Sequence, residues 1–106
     1  PLALGLLTPQ GPRDWHLGSD VLKAKCREAA EWCNLQGIDI AELGMQFALA
    51  NPRIHTTLSG ALSETEVRKN VACVGKVPNP QLIEALRHIL TPVFGHVWPA
   101  GRAEYN

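Results

Sequence analysis

The chain has 106 residues, enough for one small domain. Ten Lys+Arg balance ten Asp+Glu, so the net charge is zero, which argues against a nucleic-acid binder working through a basic surface and against an acidic tail. With 45% hydrophobic and 19% charged residues the composition is globular and too apolar for disorder, and no apolar run approaches the ~18–20 residues that span a bilayer.

Nothing basic precedes Pro1-Leu2-Ala3-Leu4, so no signal peptide is read here. Three cysteines without a C-x-x-C pair point to reduced thiols and a cytoplasmic protein. The chain has no initiator Met and opens inside an apolar stretch, so a piece of a longer protein is expected.

Residues 1–7 are apolar apart from Gly5, the pattern of a strand buried on both faces. Thr8-Pro9-Gln10-Gly11-Pro12-Arg13-Asp14 is a turn-rich loop. Ser19 can cap a helix running to about Gln36, with Gly37 as its stop. Leu22, Cys26, Ala29, Ala30 and Cys33 share one face of it. Asp39 opens a second helix, with Glu42 at capping-box spacing and Ile40, Leu43, Phe47, Leu49 and Ala50 on its apolar face. Asn51-Pro52 ends it.

The β-branched, short segment 54–59 predicts a second strand, ending at Ser59-Gly60. Ser63 caps a third helix with Glu66 at the third position, and Gly75 closes it. Asn79-Pro80 opens a fourth, with Leu82, Ile83, Leu86, Ile89 and Leu90 as its stripe and Pro92 at its end. The tail from Phe94 to Asn106 reads as irregular. The order strand, helix, helix, strand, helix, helix implies parallel strand pairing, and two strands alone cannot make a covered parallel sheet.

The sharpest local signal is the second strand running through Ser59-Gly60-Ala61-Leu62-Ser63 into a helix. Such a turn aims backbone N–H groups and the positive helix end at whatever lies above it, and phosphates bind there; glycine in such turns also serves backbone geometry alone. His16, His55, His88 and His96 show no metal spacing and are read as structural or exposed. Cys26 and Cys33 lie about two helical turns, ~10 Å, apart, too far for a disulfide, so packing is expected for them and for Cys73. Trp15-His16 and Trp98-Pro99 either line a pocket or cover an apolar seam. No nucleophile-elbow, P-loop or G-x-G-x-x-G motif occurs.

The residues resemble the C-terminal part of an aldo-keto reductase. Within that family they are similar to the branch of the L-galactose, L-fucose and D-threo-aldose 1-dehydrogenases. The opening run through Thr8, the loop Gly11-Pro12-Arg13-Asp14-Trp15-His16 and the connection Ala48-Leu49-Ala50-Asn51-Pro52-Arg53-Ile54 each resemble its segments. Gly60 with Asn70 resembles the family's cofactor motif, and Trp98-Pro99-Ala100-Gly101-Arg102 its tail.

The resemblance implies an α/β fold, the C-terminal portion of a (β/α)8 TIM barrel with strands seven and eight, their helices and the tail. It implies NADP or NAD as cofactor and a small sugar or carbonyl substrate in the longer parent. Pro1, Leu2, Ala3 and Gly5 would run beneath the pyrophosphate, and Gly60, Leu62, Glu66, Lys69 and Asn70 would hold the adenosine half. Leu62 offers no donor to a 2′-phosphate and Glu66 would repel one, a lean toward NAD, while the Lys69 cation could partly restore phosphate affinity. The family's catalytic Tyr, Asp, Lys and His match no residue of this chain, whose one tyrosine is Tyr105. The resemblance thus implies cofactor-binding parts of an oxidoreductase, with neither nucleic acid, metal nor membrane involved. The alternatives are a non-catalytic, truncated aldo-keto reductase acting as a binding or interaction module, and an independent helical interaction domain.

Overall fold

The computed structural model describes residues 1–99, 101, 102 and 104, so Ala100 of the tail motif and Tyr105 lie outside the described residues. Among the described residues four α-helices carry the structure: α1 (Asp20–Leu35), α2 (Ile40–Leu49), α3 (Glu64–Ala72) and α4 (Pro80–Leu90). Each begins where the sequence supplies an oxygen for its unpaired N–H groups. The Ser19 hydroxyl accepts from Leu22 N, Asp39 from Ala41 N, Ser63 from Glu66 N and Asn79 from Gln81 N. Left-handed Gly37 and Gly75, with φ of 72° and 77°, turn the chain away beyond α1 and α3.

α1 is the centre of the packing. It lies against α4, α2 and the 3-10 turn Thr91–Val93, while α2 also meets α3. Its buried residues are Leu22, Cys26, Ala29, Ala30 and Cys33, the stripe expected from the sequence. The apolar interior falls into two clusters. One joins Ala29, Ala30, Cys33, Ile40, Leu43 and Leu86; the other joins Leu6, Leu22, Cys26 and Val93. The Cys73 thiol sits between the Lys69 carbonyl of α3, at 3.3 Å, and the Glu42 carbonyl of α2, at 3.7 Å, at the junction of the two helices. A radius of gyration of 14.0 Å is slightly above the ~13 Å typical of ~100 residues, as a divided core would give.

The expected α/β architecture is overturned: among the described residues there is no strand, so the fold is all-helical and not a portion of a (β/α)8 barrel with strands seven and eight. Residues 1–7 form the 3-10 turn Ala3–Gly5 instead, in which Ala3 and Leu4 take left-handed φ of 52° and 57°. Residues 54–59 are irregular, with Ile54 half-exposed and Leu58 84% exposed. A strand exists through its ladder, because each backbone N–H and C=O needs a neighbour to pair with. Apolar composition marks the first segment and β-branched residues the second, yet neither finds a partner among the described residues, and the parallel pairing expected between them is absent.

A smaller correction concerns α2. Phe47, placed on its apolar face by spacing, is 49% exposed, with the Arg87 guanidinium 5.8 Å above its ring. Met45 is buried instead. A helix packed by α1 and α3 together buries more than one stripe.

Candidate functional site

Chain segments far apart in sequence meet at one cavity of about 500 Å³. All nine residues that the resemblance implied for cofactor binding line it: Pro1, Leu2, Ala3 and Gly5 from the first segment, Gly60, Leu62, Glu66, Lys69 and Asn70 from the second. The N-terminal end of α2 closes a third side with Asp39, Ala41 and Glu42, and Thr8, Pro9 and Gln10 continue the rim. Sequence reasoning missed the α2 wall. Asp39 and Glu42 were read as capping residues, and a cap that also faces a cavity carries no separate local signal.

Local chemistry shapes each wall. Gly5 has a φ of +100°, and a Cβ there would lie 3.2 Å from the Gly11 carbonyl oxygen and Pro12 Cα, so glycine is needed twice over. The Thr8 hydroxyl donates to the Gly5 carbonyl at 2.7 Å and ties the turn to the following loop. Leu2 packs toward α2, where a Cβ on Gly44 would come within 3.2 Å of its Cδ2. Opposite, the Leu62 N–H donates to the Glu66 carboxylate at 2.6 Å, which fastens the loop onto the first turn of α3. Asn70 donates from Nδ2 to the Ser59 hydroxyl at 3.0 Å. Gly60 differs from Gly5: a Cβ there meets nothing within 4 Å, so no neighbouring protein atom requires glycine.

The charged groups at the cavity are the carboxylates of Asp39, Glu42 and Glu66 and the ammonium of Lys69. Its volume falls within the ~300–1,000 Å³ of small-molecule pockets. A Cβ at Gly60 would meet no protein atom within 4 Å, and among the described residues the Asn70 amide oxygen and its second N–H have no protein hydrogen-bond partner. Anionic oxygens find fewer cations here, and backbone N–H groups of the loop and the α3 start would have to hold them.

The two aromatic dipeptides also meet. His16 is 3% exposed; the Trp98 ring lies tilted against it at 4.7 Å between centroids and the Trp15 ring is stacked at 6.3 Å. Trp98 covers the apolar cluster around Leu6 and Leu22, whereas Trp15 is 62% exposed. His55, His88 and His96 are exposed. All three cysteines are buried, free thiols, and burial pushes each of them above the ordinary thiol range. Among the described residues no group of three or more His, Cys, Asp or Glu could hold a metal, and no helix is long and apolar enough to cross a membrane.

Comparison with known proteins places a sugar oxidoreductase beside this chain. The relative is the L-galactose dehydrogenase of Arabidopsis thaliana, 38% identical over 105 residues, a match that takes in 95% of this chain and 33% of the relative. The chain therefore spans about a third of that relative's length. The similarity bears out the resemblance to the aldose-dehydrogenase branch of the aldo-keto reductases. No family model matches the chain.

Proposed function

We propose that the chain is the cofactor-holding part of an NAD(P)-dependent oxidoreductase of the aldo-keto reductase family, acting on an aldose or related carbonyl compound. The observation that carries this reading is the convergence of residues 1–5 with residues 60–70 on one cavity, with the motif positions of a dinucleotide site in its lining. Similarity to an L-galactose dehydrogenase supports the substrate class.

Asn70, held by Ser59, would present its free amide oxygen and N–H to the adenine edge. Gly60 would let the ring approach the backbone, and Leu62, 87% exposed at the rim, would cover its face. Glu66 would accept from a ribose 2′-hydroxyl and repel a 2′-phosphate, which favours NAD over NADP. The turn Ala3–Gly5 would lie beneath the diphosphate. When bound, the dinucleotide supplies the hydride acceptor or donor, and this chain binds and orients its adenosine end. No residue here matches the family's proton-transfer set, so catalytic groups are assigned to none of them.

The test is calorimetric titration of the full chain with NAD and with NADP. Saturable NAD binding that is weaker or absent for NADP is expected. No binding of either dinucleotide would overturn the reading and favour the non-catalytic interaction module.

A further inference from the structure

Ala3 and Leu4 hold left-handed dihedrals in succession, with φ of 52° and 57°. Residues that carry a Cβ disfavour that region, and they stay there only where surroundings hold them. Local bonds close the turn: Gly5 N–H and Leu7 N–H both donate to the Leu2 carbonyl, at 3.1 and 3.2 Å, and Leu6 N–H donates to the Ala3 carbonyl at 3.3 Å. A further link arrives from a different loop. The His16 Nε2–H donates to the Ala3 carbonyl at 3.1 Å, across thirteen residues of chain.

Only one form of the ring can do this, and the structure selects it. The Gly18 N–H donates to His16 Nδ1 at 3.0 Å, so Nδ1 is the acceptor and the proton of the neutral ring sits on Nε2. The approach depends on glycine, because a Cβ on Gly18 would lie 3.1 Å from Nδ1 and Cε1. Trp98 lies tilted against the ring, which is 3% exposed. Across a trans peptide the Leu4 N–H points opposite to the Ala3 carbonyl. Holding that oxygen therefore also sets the direction of an N–H at the cavity wall.

We propose that His16 is a positioning residue for the dinucleotide site, acting through the Ala3 carbonyl to hold the left-handed turn in its binding shape. The proposal rests on the reading of the cavity as that site.

Two substitutions in the full chain separate this role from packing. His16→Gln can place a donor near the Nε2 position, whereas His16→Asn reaches only the Nδ1 position and keeps an acceptor for Gly18. The readouts are backbone amide NMR signals of Ala3 and Leu4 without ligand, and NAD affinity by calorimetry. His16→Gln is expected to keep both signals and to bind NAD within about twofold of wild type. His16→Asn is expected to shift both signals and to weaken NAD binding about tenfold, the effect of one well-placed hydrogen bond. Wild-type signals in His16→Asn would overturn the proposal, and so would shifted signals with unchanged affinity. If His16→Asn does not fold, His16→Gln decides alone, because losing the wild-type signals there refutes the role. A wild-type chain that binds no NAD defeats the dinucleotide reading, and the ligand-free signals still decide whether His16 holds the turn.

Discussion

The Asn70 side chain donates to the Ser59 hydroxyl at 3.0 Å, joining α3 to the loop that precedes it. On the proposed reading, the bond would fix which way the amide faces and so pre-orient the atoms left for the dinucleotide. Asn70→Ala should raise the NAD dissociation constant about tenfold, equivalent to ~1.4 kcal/mol. Ser59→Ala should raise it less, about two- to threefold, because the amide remains and only its orientation is freed. Equal affinities for wild type and both variants in a cofactor titration would remove Asn70 from the site.

On the proposed reading of the cavity, Leu62 would set cofactor preference by what it lacks. Its side chain is 87% exposed at the rim and offers no donor. Leu62→Arg should improve NADP binding relative to NAD by about tenfold, since a guanidinium makes charge-assisted bonds to a 2′-phosphate. Paired titrations of wild type and variant measure the ratio, and an unchanged ratio would contradict the assignment.

The two cavity glycines should respond in opposite ways. Gly5→Ala forces a Cβ into a φ of +100° and within 3.2 Å of backbone atoms of Gly11 and Pro12, so it should destabilise the fold by about 1–3 kcal/mol. Gly60→Ala meets no protein atom within 4 Å and should leave stability within about 0.5 kcal/mol while weakening NAD binding. Urea unfolding and calorimetry on the same samples check both halves.

Buried thiols make stability fall at high pH. Cys33, fully buried, has its pKa raised first by burial and then by the Asp39 carboxylate. A folded-state pKa above the unfolded value means that the folded chain keeps the proton longer. The resulting stability is complete below the ordinary thiol value of 9.0 and is lost as pH rises beyond it toward the raised folded value. The urea midpoint should therefore drop as pH rises beyond the ordinary thiol value of 9.0. In Cys33→Ala, less stable at neutral pH, that drop should be smaller. An identical pH profile in the two proteins would show that the Cys33 thiol plays no part.

The chain by itself should not turn over an aldose. It lacks a matched proton-transfer group, and general acid–base catalysis alone is worth roughly 10²–10⁴ in rate. Incubation with L-galactose and NAD, followed at the absorbance of reduced nicotinamide, should give no rate above the protein-free control. A rate that survives repurification would require a catalytic residue among those present.

The helices were legible in the sequence because their determinants are local. Ser19, Asp39, Ser63 and Asn79 cap the helices that spacing assigned to them, and the α1 stripe from Leu22 to Cys33 is the buried one. The strands were not, because strand-like composition at residues 1–7 and 54–59 says nothing about a pairing partner, and pairing is a tertiary fact. The resemblance to the aldo-keto reductases implied nine of the residues around the cavity, since those positions lie in short runs of sequence. Tertiary structure alone decided that Asp39 and Glu42 complete its wall and that Phe47 stays half-exposed while Met45 is buried. It also decided that His16, Trp98 and Ala3 meet. Such contacts join residues separated by long stretches of chain, and no local preference of any of them encodes which distant neighbour will cover it.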